Sequence, residues 1–394
     1  MPFVLAHVSD FHVSTFGDTL HDRTRIVRRS VNLADASALE WTEAWAEAGW
    51  RVLRNNKKKS KLLVVDPDGY SHPTPGRSEF RELTDPVERA AGMACRLEAR
   101  RQKTLAAALP SEGALALLAD ATPRNANVRL LRAARFVEQA NVDGVAITGD
   151  ITDDGDGYDL AAAAFEKWRA RGRLWAIPGN HDRYLFPISG STRPKPTRES
   201  KAAAWQAFAA SLALPLEPCG AWVKVVPDAG VILLGLDTCA RPQRRFFRHN
   251  GAVGPEQLAF ARAVGERAEW KSARHRVVLL HHHVVPLPHG VGKRAPTEIG
   301  MRLDDAQAAA ETFDAIGATL VMHGHRHISE ERQPAGASFR LLAAPSLTLG
   351  CRSGDGPSFW RVELGDQVYA ARVHIPISAI DEDEEEPESE NAEG

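Results

Sequence analysis

Short apolar runs recur along the chain, and each is followed directly by polar or glycine-rich residues. Runs of about four to eight apolar residues bounded in this way are typical of buried β-strands. We therefore predict strands at Pro2–Ser9, Gly144–Thr148, Leu174–Ile177, Val231–Leu236, Val277–Leu280 and Thr319–Met322.

Stretches of helical period lie between these runs, at Val128–Ala140 and Asp159–Arg171. Alternating strands and helices predict a layered α/β fold. After Phe339 the pattern becomes β-rich, with the runs FRLLAAPS, SFWRVEL and QVYAARVHI. The last two runs are joined across Gly365-Asp366, which is a hairpin signal, so we expect the chain to end in a meander.

The segment from about residue 35 to residue 123 does not follow this alternation. It begins with the Trp-rich sequence Trp41–Trp50, which we interpret as helical, and it contains a second helix that starts with Asp85, Pro86 and Glu88. These three residues suit the N-cap, first and third positions of a helix. We predict a mainly helical insertion that serves as a cap or as a dimerisation element.

Charge is unevenly distributed along the chain. The last segment, Asp381–Gly394, holds nine acidic residues and no basic one; without it, 49 basic residues face 42 acidic ones, a net charge of +7. We expect a disordered, solubilising tail, and the alternative is a tail that competes with anionic ligands for a basic site. The run Lys57, Lys58, Lys59 and Lys61 is interpreted as a solvated turn, with contact to a polyanion as the alternative.

The composition is that of a soluble globular protein, with 43% hydrophobic and 25% charged residues. Four scattered cysteines argue against a disulfide framework and favour a reducing compartment. No apolar run approaches the roughly 18 residues of a membrane span, and the N-terminus lacks the basic region of a signal peptide. We therefore expect a cytoplasmic protein without a membrane anchor.

Five polar clusters follow five of the predicted strands. A lone histidine is usually a hydrogen-bonded core residue, and a lone aspartate usually caps a helix or a turn. Five clusters in register with strand ends are different, because a sheet gathers such residues along one edge. The clusters are Asp10-Phe11-His12, Gly149–Asp153, Asn180-His181-Asp182, His281–His283 and His323–His327.

Carboxylate, imidazole and amide ligands without a thiolate suit Mn, Fe or Zn. Seven candidate ligands are too many for one tetrahedral zinc ion, but they fit two divalent or mixed-valence transition metal ions that share a carboxylate. Two ions about 3.5 to 4 Å apart can hold a bridging hydroxide and neutralise a phosphoryl group. The chemistry that we predict is phosphoester hydrolysis without a side-chain nucleophile.

The order DxH, GDxxD, GNHD, a strand-terminal His and GHxH resembles the calcineurin-like metallophosphoesterases over about residues 2–375, apart from the insertion. The resemblance implies a four-layer αββα sandwich with the metal site at the strand ends. It divides the chain into a phosphoesterase domain over residues 1–378, interrupted at about 35–123, and a tail over residues 379–394.

The resemblance also implies which residues hold the metals. The first ion would have Asp10, His12 and His327, the second would have Asn180, His282 and His325, and Asp150 would bridge them. His181 would act on the leaving group as general acid or electrophilic stabiliser, with Asp182 orienting it.

The fourth motif departs from the family pattern, in which the histidine stands two residues before a proline. Here the triple His is followed by two valines before Pro286. Alignment on the preceding strand favours His282 as the ligand and leaves His281 as the alternative. We expect His323, which precedes the GHxH motif, to be structural.

Three functions are compatible with these residues. The first is a dimetal phosphodiesterase acting on a small phosphoester, like the bacterial branch of the superfamily. The second is an exonuclease-like enzyme, although a basic body argues for any anion and nucleic acid is not favoured. The third is a silent binding scaffold, which would be expected to have lost ligands. The oligomeric state is left open by the sequence.

Overall fold

The structure is a computed structural model that describes residues 2–14, 41–65, 71–72, 83–106, 126–185, 196–240, 250–285, 301–351 and 356–376. All six strands predicted from apolar runs are present. In chain order the strands are β1 (Phe3–Val8), β2 (Trp41–Glu47), β3 (Trp50–Asn55), β4 (Leu62–Val65), β5 (Ser71–His72), β6 (Gly144–Thr148), β7 (Leu174–Ile177), β8 (Trp222–Val226), β9 (Val231–Gly235), β10 (His275–Leu279), β11 (Leu320–His323), β12 (Glu330–Arg332), β13 (Arg340–Ala343), β14 (Ser358–Leu364) and β15 (Val368–His374).

The two helices predicted between the first strands are confirmed, although the second is divided at Phe165. The described helices are α1 (Pro86–Ala106), α2 (Ala126–Gln139), α3 (Tyr158–Ala164), α4 (Glu166–Arg169), α5 (Asn180–Arg183), α6 (Arg198–Ser211), α7 (Gly254–Gly265), α8 (Ala268–Ser272) and α9 (Ala306–Ala315). A 3₁₀ turn covers Pro227–Ala229.

Two mixed sheets form the centre of the fold. The first has the order β15-β14-β1-β6-β7, and the second has the order β12-β13-β11-β10-β9-β8. Parallel pairs dominate around β1, β6 and β7 in the first sheet and around β9, β10 and β11 in the second. Parallel strands have their carboxyl ends at the same edge of the sheet. The polar clusters come directly after these strand ends and therefore lie at that edge.

Alternation of side chains along the strands shows that the two sheets face each other. In β9, Leu233 packs in the same cluster as residues of the first sheet, whereas Ile232 and Leu234 pack against helices α7 and α9. Successive side chains of a strand point to opposite faces, so the second sheet is covered on both sides. Helices α2, α3 and α6 contribute to the cluster that includes the first sheet. This is the predicted four-layer αββα arrangement.

The prediction of a helix at Trp41–Trp50 is wrong. These residues form β2, a turn and the start of β3, within a separate antiparallel sheet of order β2-β3-β4-β5. Ala48 and Gly49 both have positive φ, 50° and 83°, as a two-residue type I′ hairpin requires. Local helix propensity of Ala and Glu is overridden by pairing with β3 and by burial of Trp41. The insertion is therefore not mainly helical over its described residues.

The second helix of the insertion is confirmed as α1. Its predicted capping residue, Asp85, accepts a hydrogen bond from the Val87 backbone N–H at 2.9 Å. Ala90 and Ala94 of α1 pack on Trp50 and Val52, in a cluster distinct from those of the two large sheets. The insertion thus has a small core of its own.

The basic run is an exposed turn, as expected. The side-chain oxygen of Asn55 accepts hydrogen bonds from the backbone N–H groups of Lys57 and Lys58 at 3.1 and 2.8 Å. Lys57, Lys58 and Lys59 are exposed. The acidic tail, Asp381–Gly394, lies outside the described residues.

The C-terminal expectation is only partly met. The hairpin across Gly365-Asp366 is present as β14 and β15. However, the run that begins at Phe339 does not continue into that hairpin: it forms β13, which pairs in parallel with β11 in the other sheet. The three runs are therefore not one meander.

All four cysteines lie in described ranges, and none of them forms a disulfide. Among the helices of the described part of the chain, none carries an apolar stretch of bilayer-spanning length.

The two ends of the inserted segment meet at one point. The Asn127 side chain bonds to the Ser14 backbone twice, accepting from its N–H at 3.1 Å and donating to its C=O at 2.7 Å. Residues 14 and 127, which flank the predicted insertion over 35–123, are therefore adjacent in the structure.

We predict that residues 15–125 can be replaced by a short Gly/Ser linker without loss of the sandwich, because the ends are adjacent and the cores are separate. Far-UV circular dichroism and cooperative thermal unfolding would check this. Adding Asn127→Ala to the shortened chain should lower its stability by about 1 to 3 kcal/mol through unsatisfied buried backbone groups. A shortened chain that remains unfolded would show that the insertion is part of the sandwich.

Candidate metal centre

The predicted site residues follow the carboxyl ends of strands from both sheets. Asp10 and His12 follow β1, Asp150 follows β6, and Asn180 to Asp182 form the start of α5 after β7. His281 to His283 follow β10, and the remaining two histidines, His325 and His327, follow β11. The sandwich therefore brings the two sets of strand ends together.

Five of these residues have a left-handed backbone that is uncommon outside glycine. The φ angles are 56° at Asp10, 53° at His12, 51° at Asp150, 75° at His325 and 48° at His327. Such residues cost of order 1 to 3 kcal/mol each and persist only where the surrounding structure fixes them. Each one turns the chain sharply just after a strand, which aims the side chain across the sheet edge.

Hydrogen bonds between neighbouring loops hold these turns. The backbone N–H of Asp10 donates to the Gly149 carbonyl, and that of His12 donates to the Asp150 carbonyl, both at 3.0 Å. The Ser346 hydroxyl donates to the Asp10 carbonyl at 2.6 Å. The loops after β1, β6 and β13 are therefore fixed to one another.

The first group of ligand atoms comes from both sheets. His12 Nε2 lies 2.9 Å from His327 Nε2, and Asp10 Oδ1 lies 3.3 Å from the same His327 atom. Two imidazole nitrogens and a carboxylate oxygen aimed at one point form a typical ligand set for a transition metal. These three residues are one of the groups able to hold an ion.

A second group lies around Asp150. Asp150 Oδ2 is 3.3 Å from His281 Nε2, and Asn180 Oδ1 is 3.0 Å from the same nitrogen. The rings of His281 and His325 have their centroids 4.9 Å apart. Asp150, His281 and His325 form another group of the right size for an ion, and Asn180 adds an oxygen ligand to it.

Of the two neighbouring histidines, His281 is the one that contacts Asp150 and Asn180. His282 lies beside the group, with its ring centroid 4.4 Å from that of His325 and its Nδ1 2.7 Å from the Thr238 hydroxyl. A Cβ on Gly251 would come within 2.3 Å of His282 Nδ1, so that residue must be glycine for His282 to fit.

The ring orientations fit metal binding through Nε2. His12 Nδ1 is 2.8 Å from Asp153 Oδ1, and His281 Nδ1 is 2.7 Å from the Thr148 carbonyl oxygen. Metal-binding histidines usually donate their second ring N–H to a carboxylate or carbonyl, which fixes the tautomer. Both rings meet that condition, so the donor set suits transition metal ions.

His181 is oriented by a different carboxylate from the one we expected. Its Nδ1 lies 2.7 Å from Asp153 Oδ1, the oxygen that also contacts His12, and its Nε2 lies 4.0 Å from Asp150 Oδ2. Asp153 was not singled out from the sequence, although it is the second carboxylate of GDITD. The presence of a second carboxylate three residues after Asp150 is the sequence signal that points to Asp153.

Asp182, the residue predicted to orient His181, has another position. Its two oxygens accept hydrogen bonds from the backbone N–H groups of Ile151, Thr152 and Gly179 and from the Tyr158 hydroxyl, at 2.8 to 3.0 Å. It thus joins the loop that carries Asp150 to the start of α5. Burial and the nearby charge of Asp150 raise the pKa of Asp182, against these hydrogen bonds.

Charge pairing shifts the pKa values of the central groups. Burial alone would lower the pKa of His12, but Asp153, Asp150 and Asp10 overcome this and raise it to about 9. The pKa of His281 is likewise raised to about 9 against burial, mainly by Asp150. The pKa of Asp153 falls well below its usual range, because the charges of His12 and His181 outweigh its burial.

Two other buried histidines, His7 and His323, behave as core residues. Burial lowers the pKa of His7 to about 3 and also lowers the pKa of His323. His7 Nε2 contacts the Thr148 hydroxyl, and His323 Nδ1 contacts the Gly324 carbonyl. Within the described residues, His323 belongs to none of the groups that could hold an ion, which agrees with its expected structural role.

These shifts predict how the metal-free protein responds to pH. The pKa values of His12 and His281 are about 9 in the folded state and 6.5 in the unfolded chain, so both rings bind a proton more tightly when the protein is folded. Their contribution to folding stability is therefore complete below pH 6.5. It is lost as the pH rises to about 9. The neutral core histidines act in the opposite direction, but only below pH 6.5. The thermal midpoint of chelator-treated protein should therefore fall between pH 6.5 and 9.

Saturating Mn²⁺ is the control for this prediction. An ion that replaces the protons on both rings should remove the fall in the thermal midpoint, because metal binding competes with protonation. A metal-free protein that becomes more stable over this pH range would contradict the charge pairing.

Comparison with known proteins agrees with this geometry. The sequence profile of the calcineurin-like phosphoesterase family matches residues 121–329. No curated protein matches the chain. Similar solved structures include a dimetal phosphatase from Danio rerio, with 13% identity, a TM-score of 0.44 and coverage of 63% of this chain and 86% of that one. A purple acid phosphatase from yellow lupin seeds has 12% identity, a TM-score of 0.41 and coverage of 63% and 47%.

A third similar structure is the phosphopantetheinyl hydrolase from Mycobacterium tuberculosis, with 12% identity, a TM-score of 0.33 and coverage of 51% of this chain and 79% of that one. Because the profile spans more than half of the sequence and includes Asp150, Asn180 and His325, the chain belongs to the calcineurin-like phosphoesterase family.

Proposed function

We propose that this protein is a dimetal-dependent phosphodiesterase. The observation that supports the proposal most is the convergence of two ligand groups from two sheets, Asp10 with His12 and His327, and Asp150 with His281 and His325. The family depends on two metal ions, and all members of the two groups are buried except His327, which is half-buried. When bound, two ions supply an activated water and the positive charge that phosphoryl transfer needs.

The proposed ligand set differs from the predicted one at a single residue. Asp10, His12 and His327 would hold the first ion, Asn180, His281 and His325 would hold the second, and Asp150 would be shared. His281 replaces His282 because its Nε2 lies within 3.3 Å of both Asp150 and Asn180 oxygens. Asp150 is suited to a shared role. Burial would raise its pKa, but the charges of His281, His181 and His12 lower it well below its usual range, so the carboxylate stays ionised.

His181 is proposed to give a proton to the leaving-group oxygen. Its Nδ1 is held by Asp153, which leaves Nε2 on the side of Asp150, and 14% of its side chain is exposed. A group with this access can reach a substrate while remaining oriented. Asp153 positions this ring and the His12 ring with one oxygen atom.

The preference for diesters is supported by the resemblance to the bacterial phosphodiesterase branch. Phosphate monoesters, cyclic nucleotides and single-stranded DNA are the competing substrate classes. They are separated by assaying the Mn²⁺-loaded enzyme on bis(p-nitrophenyl) phosphate, p-nitrophenyl phosphate, cyclic nucleotides and single-stranded DNA.

In that panel, Asp150→Asn should lose activity on every substrate and hold less metal, because a neutral amide is a poor bridge between two dications. The loss should exceed the roughly 10- to 100-fold that follows removal of a residue outside the coordination sphere. Asp228→Asn is the matched control, since Asp228 forms a surface ion pair with Arg173. Near-normal turnover of Asp150→Asn with full metal content would refute the dimetal proposal.

His181→Ala should keep metal and fold while it lowers kcat by roughly 10² to 10⁴ on alkyl esters, the range for a lost general acid. The loss should be smaller on p-nitrophenyl esters, whose leaving group needs little help from a proton. His374→Ala, at the exposed end of β15, is the control. Equal losses on both ester types would show that His181 has a different role.

A further inference from the structure

A lysine interrupts the apolar face of helix α6. Lys201, Trp205 and Phe208 are spaced four and three residues apart, so they lie on one face of the helix. All three are buried, and Trp205 and Phe208 belong to the core cluster of the sandwich. Lys201 has 1% of its surface exposed, which is rare for this residue type.

The ammonium group of Lys201 donates hydrogen bonds to the backbone of Asp153, in the loop after β6, and to the backbone of His181, in α5. Nζ donates to the Asp153 carbonyl at 2.9 Å and to the His181 carbonyl at 2.5 Å. Gly155 makes room for the lysine stem, because a Cβ there would lie 3.1 Å from Lys201 Cγ. The lysine thus links the loop after β6 to α5 through two backbone carbonyl groups.

Burial of a lysine costs free energy that its contacts must offset. Burial lowers the pKa of Lys201, against the pull of Asp182 and Asp154. An unpartnered buried ammonium group would cost several kcal/mol, and an apolar side chain of similar volume often packs as well or better. The two carbonyl contacts and the nearby carboxylates supply the compensation.

We propose that Lys201 is a positioning residue for the leaving-group proton. By fixing the backbone of Asp153 and of His181, it holds the 2.7 Å contact between Asp153 Oδ1 and His181 Nδ1. The inference rests on the proposed function, because the role of His181 as proton donor is itself proposed. Lys201 does not touch the substrate, and it acts only through the two backbone segments that it joins.

The first test observes the His181 ring without turnover. In ¹⁵N-histidine-labelled, metal-free protein, the Nδ1–H signal of His181 is identified by its loss in H181A. K201M should broaden or shift this signal, because the Asp153 contact is no longer held. K224M is the matched control: Lys224 also donates to a backbone carbonyl, that of Ala213, but at the surface. K224M should leave the signal unchanged.

The second test separates positioning from general support of the fold. With Mn²⁺, K201M should keep its metal content and its KM while kcat on an alkyl diester falls about 10- to 100-fold, part of the contribution of a general acid. The fall should be several-fold smaller on bis(p-nitrophenyl) phosphate. K201R, which keeps two donors, should recover most of kcat, and K201M should add no further loss to H181A.

An unchanged His181 signal in K201M would overturn the proposal, as would a kcat loss that is equal on both diesters or additive with H181A. If K201M does not fold, K201Q, which is shorter and uncharged but keeps an amide N–H donor group, is judged by the same criteria. The ring signal needs no catalysis. If the wild-type enzyme has no metal-dependent activity, the proposed function fails while the positioning of His181 by Lys201 is still measured.

Discussion

Burial of four carboxylates at the meeting point of the two sheets is the constraint on which the site depends: Asp10, Asp150, Asp153 and Asp182. Buried charges must be paired, and here the partners come from distant parts of the chain. Histidines from both sheets surround Asp10 and Asp150, and Asp153 takes His12 and His181 on one oxygen. Separation of the two sheets would leave the carboxylates of one sheet without their histidine partners from the other. The same electrostatic demand that makes the site suitable for cations also holds the sandwich closed at that edge.

The layered fold was predictable because its central strands are buried on both faces and are therefore apolar throughout, as in Val231–Gly235. The insertion was not, because β2 is an edge strand of alanine, glutamate, threonine and tryptophan whose composition resembles a helix. Its strand conformation depends on pairing with β3 and on the Ala48-Gly49 turn. Likewise, nothing within the run at Arg340–Ala343 distinguishes a partner in one sheet from a partner in the other.

The convergence of the polar clusters could also be predicted, since it follows from strand direction alone. Their finer contacts could not, because they depend on backbone angles that a motif does not specify. His281 and His282 are adjacent, and the chain direction after β10 determines which ring contacts Asp150. Asp153 stood in a quoted motif, but its contact with two histidines is a feature of the folded loop after β6, in which Asp150 has a left-handed backbone. Lys201 was hidden because a helix face with two aromatics is expected to continue with apolar residues.

The position of β1 has a consequence for synthesis on the ribosome. Along the described residues β1 precedes every other strand, but it pairs with β14, where Phe3 lies opposite Leu364. The pair of β1 and β14 therefore forms only after β14 has been translated, and the ligand group of Asp10 and His12 is complete only after His327 has been translated. Such long sequence separations slow folding, because the entropy of closing a long loop is lost before the stabilising contacts form. A nascent chain interrupted before β11 carries Asp10, His12 and Asp150 without the two histidines that complete both ligand groups, so it presents scattered donors rather than a finished ion-binding cavity.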